Sequence, residues 1–589
     1  MAHSFTKSSD MPRQPEHYEH EKDPTVYEIG RGVAWIVGLV FMALLWLPPL
    51  GEHLHRALSG EWKKTPAYHL FDWTPGKGPI VQHLHDVEHG LDKAEYSTVI
   101  RQKVQGWLSN SLDEGNARVY LGYNGWLFYQ PDITALTGYG PMAPEPFSIM
   151  KDPELAKLSD TKDLIAAYAE QLKERGISLL LVPLPLKPMI YSENITGQGT
   201  ESWITHPDAP VFYDFLRSKG VDVLDLTDGM AKLRTQREYV FRREPAKRDR
   251  EVEESEDARM KKTKEAFLMQ DTHWTPEGMR YIAEQVAAHI KKTYPQALQP
   301  AAKPIRAVDG GTRSSMGDLV KLLDVRHPEE TYEPEKVFLR MIGDGTENKD
   351  SNIVLLGDSF VNIFNDPDLG FGNPTKPDQF IHAGFAQHLS LLLNQPLDVY
   401  AITGKGSTGV RQDFAKRYDD EVRAKKLVVW VIAARDVLLS KNAAHAANIT
   451  WAPVTFNPNR KAVAPKTGSS GPTESATPNS QEVVVIAKMT EKSKNQSLDS
   501  PYRNALHTAV YDVEQVVSGK LDSKQLVAVE WTFQDKKMSP TSNFAVGQRY
   551  RLTLVPWDQK KELHNLDRSD DVSLLGADEW YVVQAEPAP

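Results

Sequence analysis

Between Gly32 and Gly51 the chain carries no charged residue, and residues 33–47 read VAWIVGLVFMALLWL. A helix over 32–51 is about 30 Å long, the thickness of a bilayer's hydrocarbon core. The segment is therefore expected to be a single transmembrane anchor. Trp35 and Trp46 stand near its two ends, where aromatic belts form. Pro48-Pro49 is expected to end the helix at the far interface. A buried core helix and a cleaved signal peptide are the other readings. A signal peptide would start closer to the N-terminus, and no small-residue cleavage site follows here. Arg13, Lys22 and Arg31 precede the span and Arg56, Lys63 and Lys64 follow it, so flanking charge does not set the orientation. Residues 1–31 are polar and read as a disordered cytoplasmic tail.

With 589 residues the chain is too long for one ordinary domain. Residues 52–115 form a mixed, polar juxtamembrane region with a helix expected over 87–112. Asn124-Gly125, flanked by apolar stretches within residues 119–129, is a strong hairpin signal. Beyond it, helices alternate with short apolar runs. Strands are expected at 177–183, 221–226, 353–356, 397–402 and 427–433, and helices at 160–175, 213–219, 276–294 and 384–393. That alternation predicts an α/β domain over 116–450 with a mainly parallel sheet. Residues 235–265 interrupt it with a nearly all-charged run, read as a solvated insertion. Residues 451–481 are rich in Pro, Ser, Thr and Gly and read as a linker. Residues 482–589 show five strand-like runs and few helical signals, which predicts a small all-β barrel or sandwich, OB-like.

The chain has no cysteine, which excludes disulfides, thiolate metal sites and a cysteine nucleophile. Its formal net charge of −10 argues against non-specific nucleic-acid binding. No cofactor or metal is called for. The histidines and Glu88 within residues 83–89 include an i, i+4 histidine pair but read better as a polar juxtamembrane face.

Chemistry concentrates in two short motifs. Gly357-Asp358-Ser359 follows directly on an expected strand, at the rim where α/β proteins place catalytic groups. Alone, the triplet is an ordinary helix-capping turn as often as a nucleophile site. Asp271-Thr272-His273 supplies what a serine nucleophile needs, a base and a carboxylate that holds the base's tautomer. Thr275 already caps the helix that starts at Pro276, which leaves Asp271 and His273 free for other work.

The two motifs resemble those of the SGNH superfamily in the circularly permuted order of the AlgX/AlgJ-type polysaccharide O-acetyltransferases. Ordinary members carry the serine block first and Asp-x-x-His last; here Asp-x-His comes first. Similar stretches are Gly125-Trp126-Leu127-Phe128, the segment from Pro185 to Tyr191, Gly317-Asp318-Leu319, Ala383-Gly384-Phe385-Ala386, and Arg435 after the last strand. The likeness covers roughly residues 115–440, with an anchor like that of the AlgJ-type members, and implies an SGNH-like three-layer α/β domain. It implies Ser359 as nucleophile, His273 as general base and acid, and Asp271 as its orienting carboxylate. The loop with Gly404 and Gly406 would complete the oxyanion hole, because the usual asparagine block is not evident. Lys187, Tyr191 and Arg435 would line or support the substrate groove. The resemblance implies transfer of acetyl groups to an exported polysaccharide, a membrane-bound O-acyltransferase as donor partner, and a periplasmic catalytic domain on a bacterial inner membrane. The alternatives are an SGNH carbohydrate esterase and a non-catalytic polysaccharide-binding assembly subunit.

Overall fold

The computed structural model describes residues 31–58, 83–84, 88, 95–143, 158–198, 203–234, 265–458 and 482–588, with short gaps inside the last two ranges. The tail, the charged insertion over 235–264, most of the expected linker, and His85 and His89 lie outside the described residues. The chain divides into two units, residues 1–104 and 105–589.

In the first unit a helix spans Arg31–Leu58. It does not stop at Pro48-Pro49 as expected but runs on through them to Leu58, although each proline removes an N–H from the ladder and crowds the preceding turn. Val33, Trp35, Ile36, Val37, Leu39, Val40, Phe41 and Met42 are all exposed on it, so its apolar residues point in every direction. Among the described residues no helix is long and apolar enough to cross a membrane, and the side chains of 44–50 lie outside that set.

In the second unit strands β1 (Val119–Leu121) and β2 (Leu127–Tyr129) pair antiparallel about the Asn-Gly turn. Asn124 and Gly125 both have positive φ (58° and 76°), the left-handed turn that this dipeptide favours. Then follow β3 (Ser178–Leu184), β4 (Asp222–Val223), β5 (Gly311–Ser315), β6 (Glu335–Leu339), β7 (Ile353–Gly357), β8 (Asp398–Ala401) and β9 (Leu427–Ala433). Five of them form one parallel sheet in the order β4-β3-β9-β7-β8. Strands β7 and β9 are buried along their whole length. That is what near-continuous runs such as IVLLG and LVVWVIA require when helices cover both faces. Helices Thr161–Lys173, Ala209–Ser218, Pro276–Thr293 and Phe385–Leu393 bury their apolar stripes in the same core. Strands β5 and β6, which are not among the strands expected from the sequence, pair as a separate antiparallel hairpin.

The core of this domain runs past residue 450. Trp451, Val454 and Phe456 are buried in it, and Trp451 Nε1 donates to the Asp436 carbonyl at 2.8 Å. The expected linker boundary at 451 therefore falls inside packed structure.

Residues beyond 482 build a second core on β10 (Val483–Lys492), β11 (Ala505–Ser518), β12 (Gln525–Gln534), β13 (Lys537–Met538), β14 (Arg549–Pro556), β15 (Asp567–Ser569) and β16 (Glu579–Pro587). The sheet closes into a barrel through β10-β11-β12-β16-β14 and back to β10, with β12 and β16 parallel. Closure leaves its five principal strands without an open edge. Arg568 and Glu579 from the barrel meet Asp413 and Lys416 in a half-buried ionic square with separations of 2.8–3.3 Å.

Candidate active site

Four of the loops of interest leave the carboxyl ends of parallel strands, while the loop with Asp271 and His273 leads into helix Pro276–Thr293. Lys187 follows β3, Ser359 follows β7, Gly404–Gly409 follow β8 and Arg435 follows β9. Strands β3 and β4 lie on one side of β9, and β7 and β8 on the other, so the chain reverses its direction of sheet growth at this edge. Open α/β sheets open a crevice at such a point.

Ser359 begins a short helix, Ser359–Asn362, whose first turn is capped by Asp358 Oδ1 accepting from Phe360 N–H at 2.9 Å. The capping role of Asp358 leaves the Ser359 hydroxyl free to turn elsewhere. Its Oγ lies 2.8 Å from His273 Nε2, and His273 Nδ1 lies 2.7 Å from Asp271 Oδ1. The three residues form one hydrogen-bonded chain, and all three are buried. His273 packs tilted against Phe360, ring centroids 4.7 Å apart, and Trp274 meets the same ring edge-on.

The loop that carries Asp271 and His273 is held from several sides. Glu335 on β6 accepts the N–H groups of Met269 and Gln270 at 2.8 and 2.7 Å. Asp318 accepts Thr272 N–H at 2.7 Å, and Asp318 N–H in turn donates to Asp271 Oδ2 at 2.9 Å. Asp271 Oδ1 also accepts the His273 backbone N–H at 3.0 Å. Asp271 thus accepts three hydrogen bonds, which fixes its plane and, through it, the imidazole. Past the loop Thr275 caps the next helix, accepting from Gly278 N–H at 3.0 Å.

Charge follows from this packing. Burial opposes protonation of His273, but the hydrogen bond and charge of Asp271, aided by Asp318 and Asp358, outweigh it and raise its pKa. Burial would raise Asp271, yet the bonds and charge of His273 keep it below the usual aspartate value. Burial, reinforced by the Asp271 charge, pushes Asp318 up to about 6. Burial likewise lifts Glu335 to about 7, against the two amides it accepts.

The remaining expected site residues divide. Lys187 is not in a groove: it is 1% exposed, and Nζ donates to the carbonyls of Leu127 (2.7 Å) and Met269 (3.1 Å). Burial lowers its pKa to about 8 although Glu335, Asp318 and Asp271 are nearby. Tyr191 is also enclosed, stacked on Trp126 at 4.2 Å, with its hydroxyl accepting Ala266 N–H at 2.9 Å. Both residues brace the histidine loop from behind, so the groove-lining expectation for them is corrected. Arg435 pairs with Asp132 at 2.8 Å and with Asp436 at 3.3 Å, over the Tyr129 ring. Gly404 takes a positive φ of 74°, and Gly406 passes so close to Asp358 that a β-carbon there would lie 2.8 Å from its Oδ2. The Gly-rich loop is thereby packed against the residue preceding Ser359. Arg411 holds it without a carboxylate partner among the described residues. Its Nε donates to Ser407 O at 2.6 Å, and the guanidinium lies among the Tyr168, Trp430 and Trp451 rings at 5.1–5.4 Å.

Asp318, Glu335, Asp132 and Arg411 were not assigned from sequence. Only Asp318 carried a signal, as part of Gly317-Asp318-Leu319. Asp271, His273 and Asp318 offer ligand atoms within 4.8 Å of one another, a donor set that suits a divalent cation. In this arrangement both carboxylates already accept amide N–H bonds and both His273 nitrogens are engaged. What the site offers chemically is a hydroxyl, a base in contact with it, and a carboxylate that fixes the base's tautomer.

The family described as "SGNH hydrolase-like domain, acetyltransferase AlgX" matches residues 119–245 and 252–434, more than half of the chain. The probable alginate O-acetylase AlgJ of Pseudomonas aeruginosa is 27% identical over 213 residues, 36% of this chain and 42% of that one. The protein of the same name from Azotobacter vinelandii is 23% identical over 327 residues, 55% of this chain and 70% of that one. The match thus spans less than half of the P. aeruginosa relative. Among solved structures, the O-acetyltransferase domain of Pseudomonas putida AlgJ is 19% identical with a TM-score of 0.35, covering 54% of this chain and 91% of that one. P. aeruginosa AlgX is 15% identical with a TM-score of 0.32, covering 79% and 90% respectively.

Proposed function

The chain belongs to the family of SGNH hydrolase-like, AlgX-type acetyltransferase domains, and from that premise we propose that it is an O-acetyltransferase acting on an exported, alginate-like polysaccharide. The observation that carries the reading is the Ser359–His273–Asp271 chain, with contacts of 2.8 and 2.7 Å. Ser359 Oγ attacks the carbonyl carbon of an acetyl ester donor while its proton passes to His273 Nε2. The tetrahedral intermediate collapses, His273 returns the proton to the leaving oxygen, and acetyl-Ser359 remains. A sugar hydroxyl then attacks that ester, again losing its proton to His273, and Ser359 leaves as the hydroxyl. Asp271 stabilises the imidazolium formed in each half-reaction and does not itself take the proton. The Ser359 N–H is one oxyanion donor, and the Gly404–Gly409 loop supplies the other.

Membrane attachment belongs to the same proposal. A helix that is apolar all round needs either a protein core or a bilayer to cover it, and the exposed residues from Val33 to Met42 support the bilayer. The domain beyond the helix then works on the periplasmic side of the inner membrane, and a membrane-bound O-acyltransferase supplies acetyl. The barrel is OB-like: numbering its five closing strands from β10, the order is 1-2-3-5-4-1 with strands 3 and 5 parallel. OB barrels serve oligosaccharide binding among other roles.

Incubating the purified protein with a chromogenic acetyl ester, with and without acidic oligosaccharide, tests the reading. Release of the chromophore together with acetylated oligosaccharide is expected, and both should vanish in Ser359→Ala. Release without acetylated product would leave an esterase. No release at all would leave the polysaccharide-binding subunit.

A further inference from the structure

A cavity of about 310 Å³ lies apart from the Ser359 chain, walled by residues 140–143, by Asp160–Lys162 and by Leu439–Lys441. Its walls connect it to the same edge of the sheet. Residues 139–143 continue from helix Gln130–Thr137, whose Asp132 pairs with Arg435, and residues 439–441 continue from helix Ala434–Leu438, which carries Arg435. The third wall is the first turn of helix Thr161–Lys173, which leads into β3. A helix that precedes a parallel strand packs antiparallel to it, so this N-terminus faces the carboxyl edge, where Ser359 lies.

Three features of the cavity suit an anion. The helix start is uncapped: Asp160 stands at the N-cap position but its side chain makes no capping bond. Its carbonyl takes the N–H of Asp163 and Leu164, and the N–H groups of Thr161 and Lys162 have no partner among the described residues. An N-terminus of this kind carries partial positive charge on just those N–H groups. The second feature is the Thr161 hydroxyl. Thr161 lines the cavity, is 2% exposed, and its Oγ1 has no hydrogen-bond partner among the described residues. A buried hydroxyl left unpaired costs stability and calls for an explanation; an acceptor entering the cavity provides one. The third is Lys162 and Lys441, both in the lining and neither in an ion pair among the described residues. Asp160 is the single carboxylate among the described lining residues and is outnumbered by the two lysines.

We propose that this cavity is an oxyanion subsite that holds one acidic group, a carboxylate or phosphate, of the polysaccharide acceptor beside the acetyl-transfer site. The inference rests on the acetyltransferase reading for the identity of the acceptor and on the cavity alone for its charge preference. It makes acceptor charge a determinant of specificity: the polymer is held by an acid group while a hydroxyl elsewhere on it reacts.

The test uses the full-length chain and two direct binding probes, inorganic phosphate and a short oligouronate, with an uncharged oligoglucoside of equal length as control. Thr161→Val and the double variant Lys162→Gln/Lys441→Gln should each weaken oligouronate binding by about tenfold. They should leave binding of the uncharged control and turnover of a small acetyl ester unchanged, so KM for the acidic acceptor rises while kcat holds. Thr161→Val separates a subsite from a plain packing defect, because relieving an orphan hydroxyl that meets no ligand would raise Tm without touching affinity. Unchanged oligouronate binding in both variants overturns the proposal. Phosphate binding lost in the variants without loss of oligouronate binding also overturns it, as the cavity would then serve a free anion. Binding is read without turnover, so a protein that fails the ester assay can still pass or fail here.

Discussion

Replacing Asp271 by asparagine removes one charge and almost no volume, and its consequences can be worked out from three hydrogen bonds. Asp271 Oδ1 accepts from His273 N–H and Nδ1–H, and Oδ2 accepts from Asp318 N–H. An amide can present only one oxygen. If that oxygen faces His273, the NH₂ group points at Asp318 N–H, and two buried donors oppose each other. If it faces Asp318, the NH₂ group meets the His273 backbone N–H, and Nδ1 must become an acceptor. The ring then carries its proton on Nε2, where Ser359 needs a lone pair. Each orientation leaves mismatched donors at about 1–3 kcal/mol, so neither wins by a wide margin. In the first the imidazolium loses its carboxylate; in the second the base is blocked outright. Ester turnover should therefore fall roughly 10³- to 10⁴-fold in kcat/KM, with near-native circular dichroism. The pH profile gives an independent sign. His273 works as a base when neutral, and its pKa is raised by Asp271. Wild-type activity should rise with pH through a value above the ordinary histidine range. Without the carboxylate that limb should move to lower pH. The measurement is kcat/KM for a chromogenic acetyl ester from pH 5 to 9. Retention of activity within about tenfold of wild type, or an acid limb that stays put, would refute the orienting role of Asp271.

Asp318→Asn keeps an oxygen for Thr272 N–H but removes a charge 3.8 Å from His273 Nδ1; about a tenfold loss with an acid limb shifted to lower pH is expected, whereas Asp318→Leu, which also frees the loop, should lose about a hundredfold in the same assay. A chain ending at residue 458 should keep a cooperative melt and ester turnover. One ending at 450 gives up Trp451, Val454 and Phe456 and should lose several kcal/mol in a denaturant titration. Glu579 is opposed by burial but held down to about 2 by Arg568 and Lys416. Its depressed pKa contributes stability above the ordinary glutamate range that is lost as pH falls towards about 2. Glu579→Gln should flatten that part of a plot of Tm against pH, and an unchanged slope would mean that the ionic square does not titrate as a unit.

What the sequence made legible and what it hid differ in range along the chain. Gly357-Asp358-Ser359 and Asp271-Thr272-His273 are each local, and each had a local rival, the helix cap. The structure resolves that rivalry by giving the caps to Asp358 and Thr275, so Ser359 and His273 are left to meet. The buried strands of the parallel sheet were equally legible, because burial on both faces writes a continuous apolar run. The supports were not. Glu335 reaches the histidine loop from 65 residues away, and Arg435 reaches Asp132 across 303. Nothing in the composition of EKVFL marks its glutamate as a buried acceptor of two amides. For Lys187 and Tyr191 the resemblance left open whether they line or support the groove, and burial decides for support: a lysine ammonium that finds two carbonyls can be buried entirely. The barrel shows the same divide. Its strands showed as five strand-like runs, while its closure depends on pairing β12 with β16 and β10 with β14, contacts that no local pattern encodes. A serine, a histidine and an aspartate can thus be found from short motifs, but what makes them one unit is a set of distant carboxylates and cations that hold a single loop still. The Asp271→Asn and Asp318→Leu variants separate those two contributions, the first acting on charge and tautomer, the second on the tether.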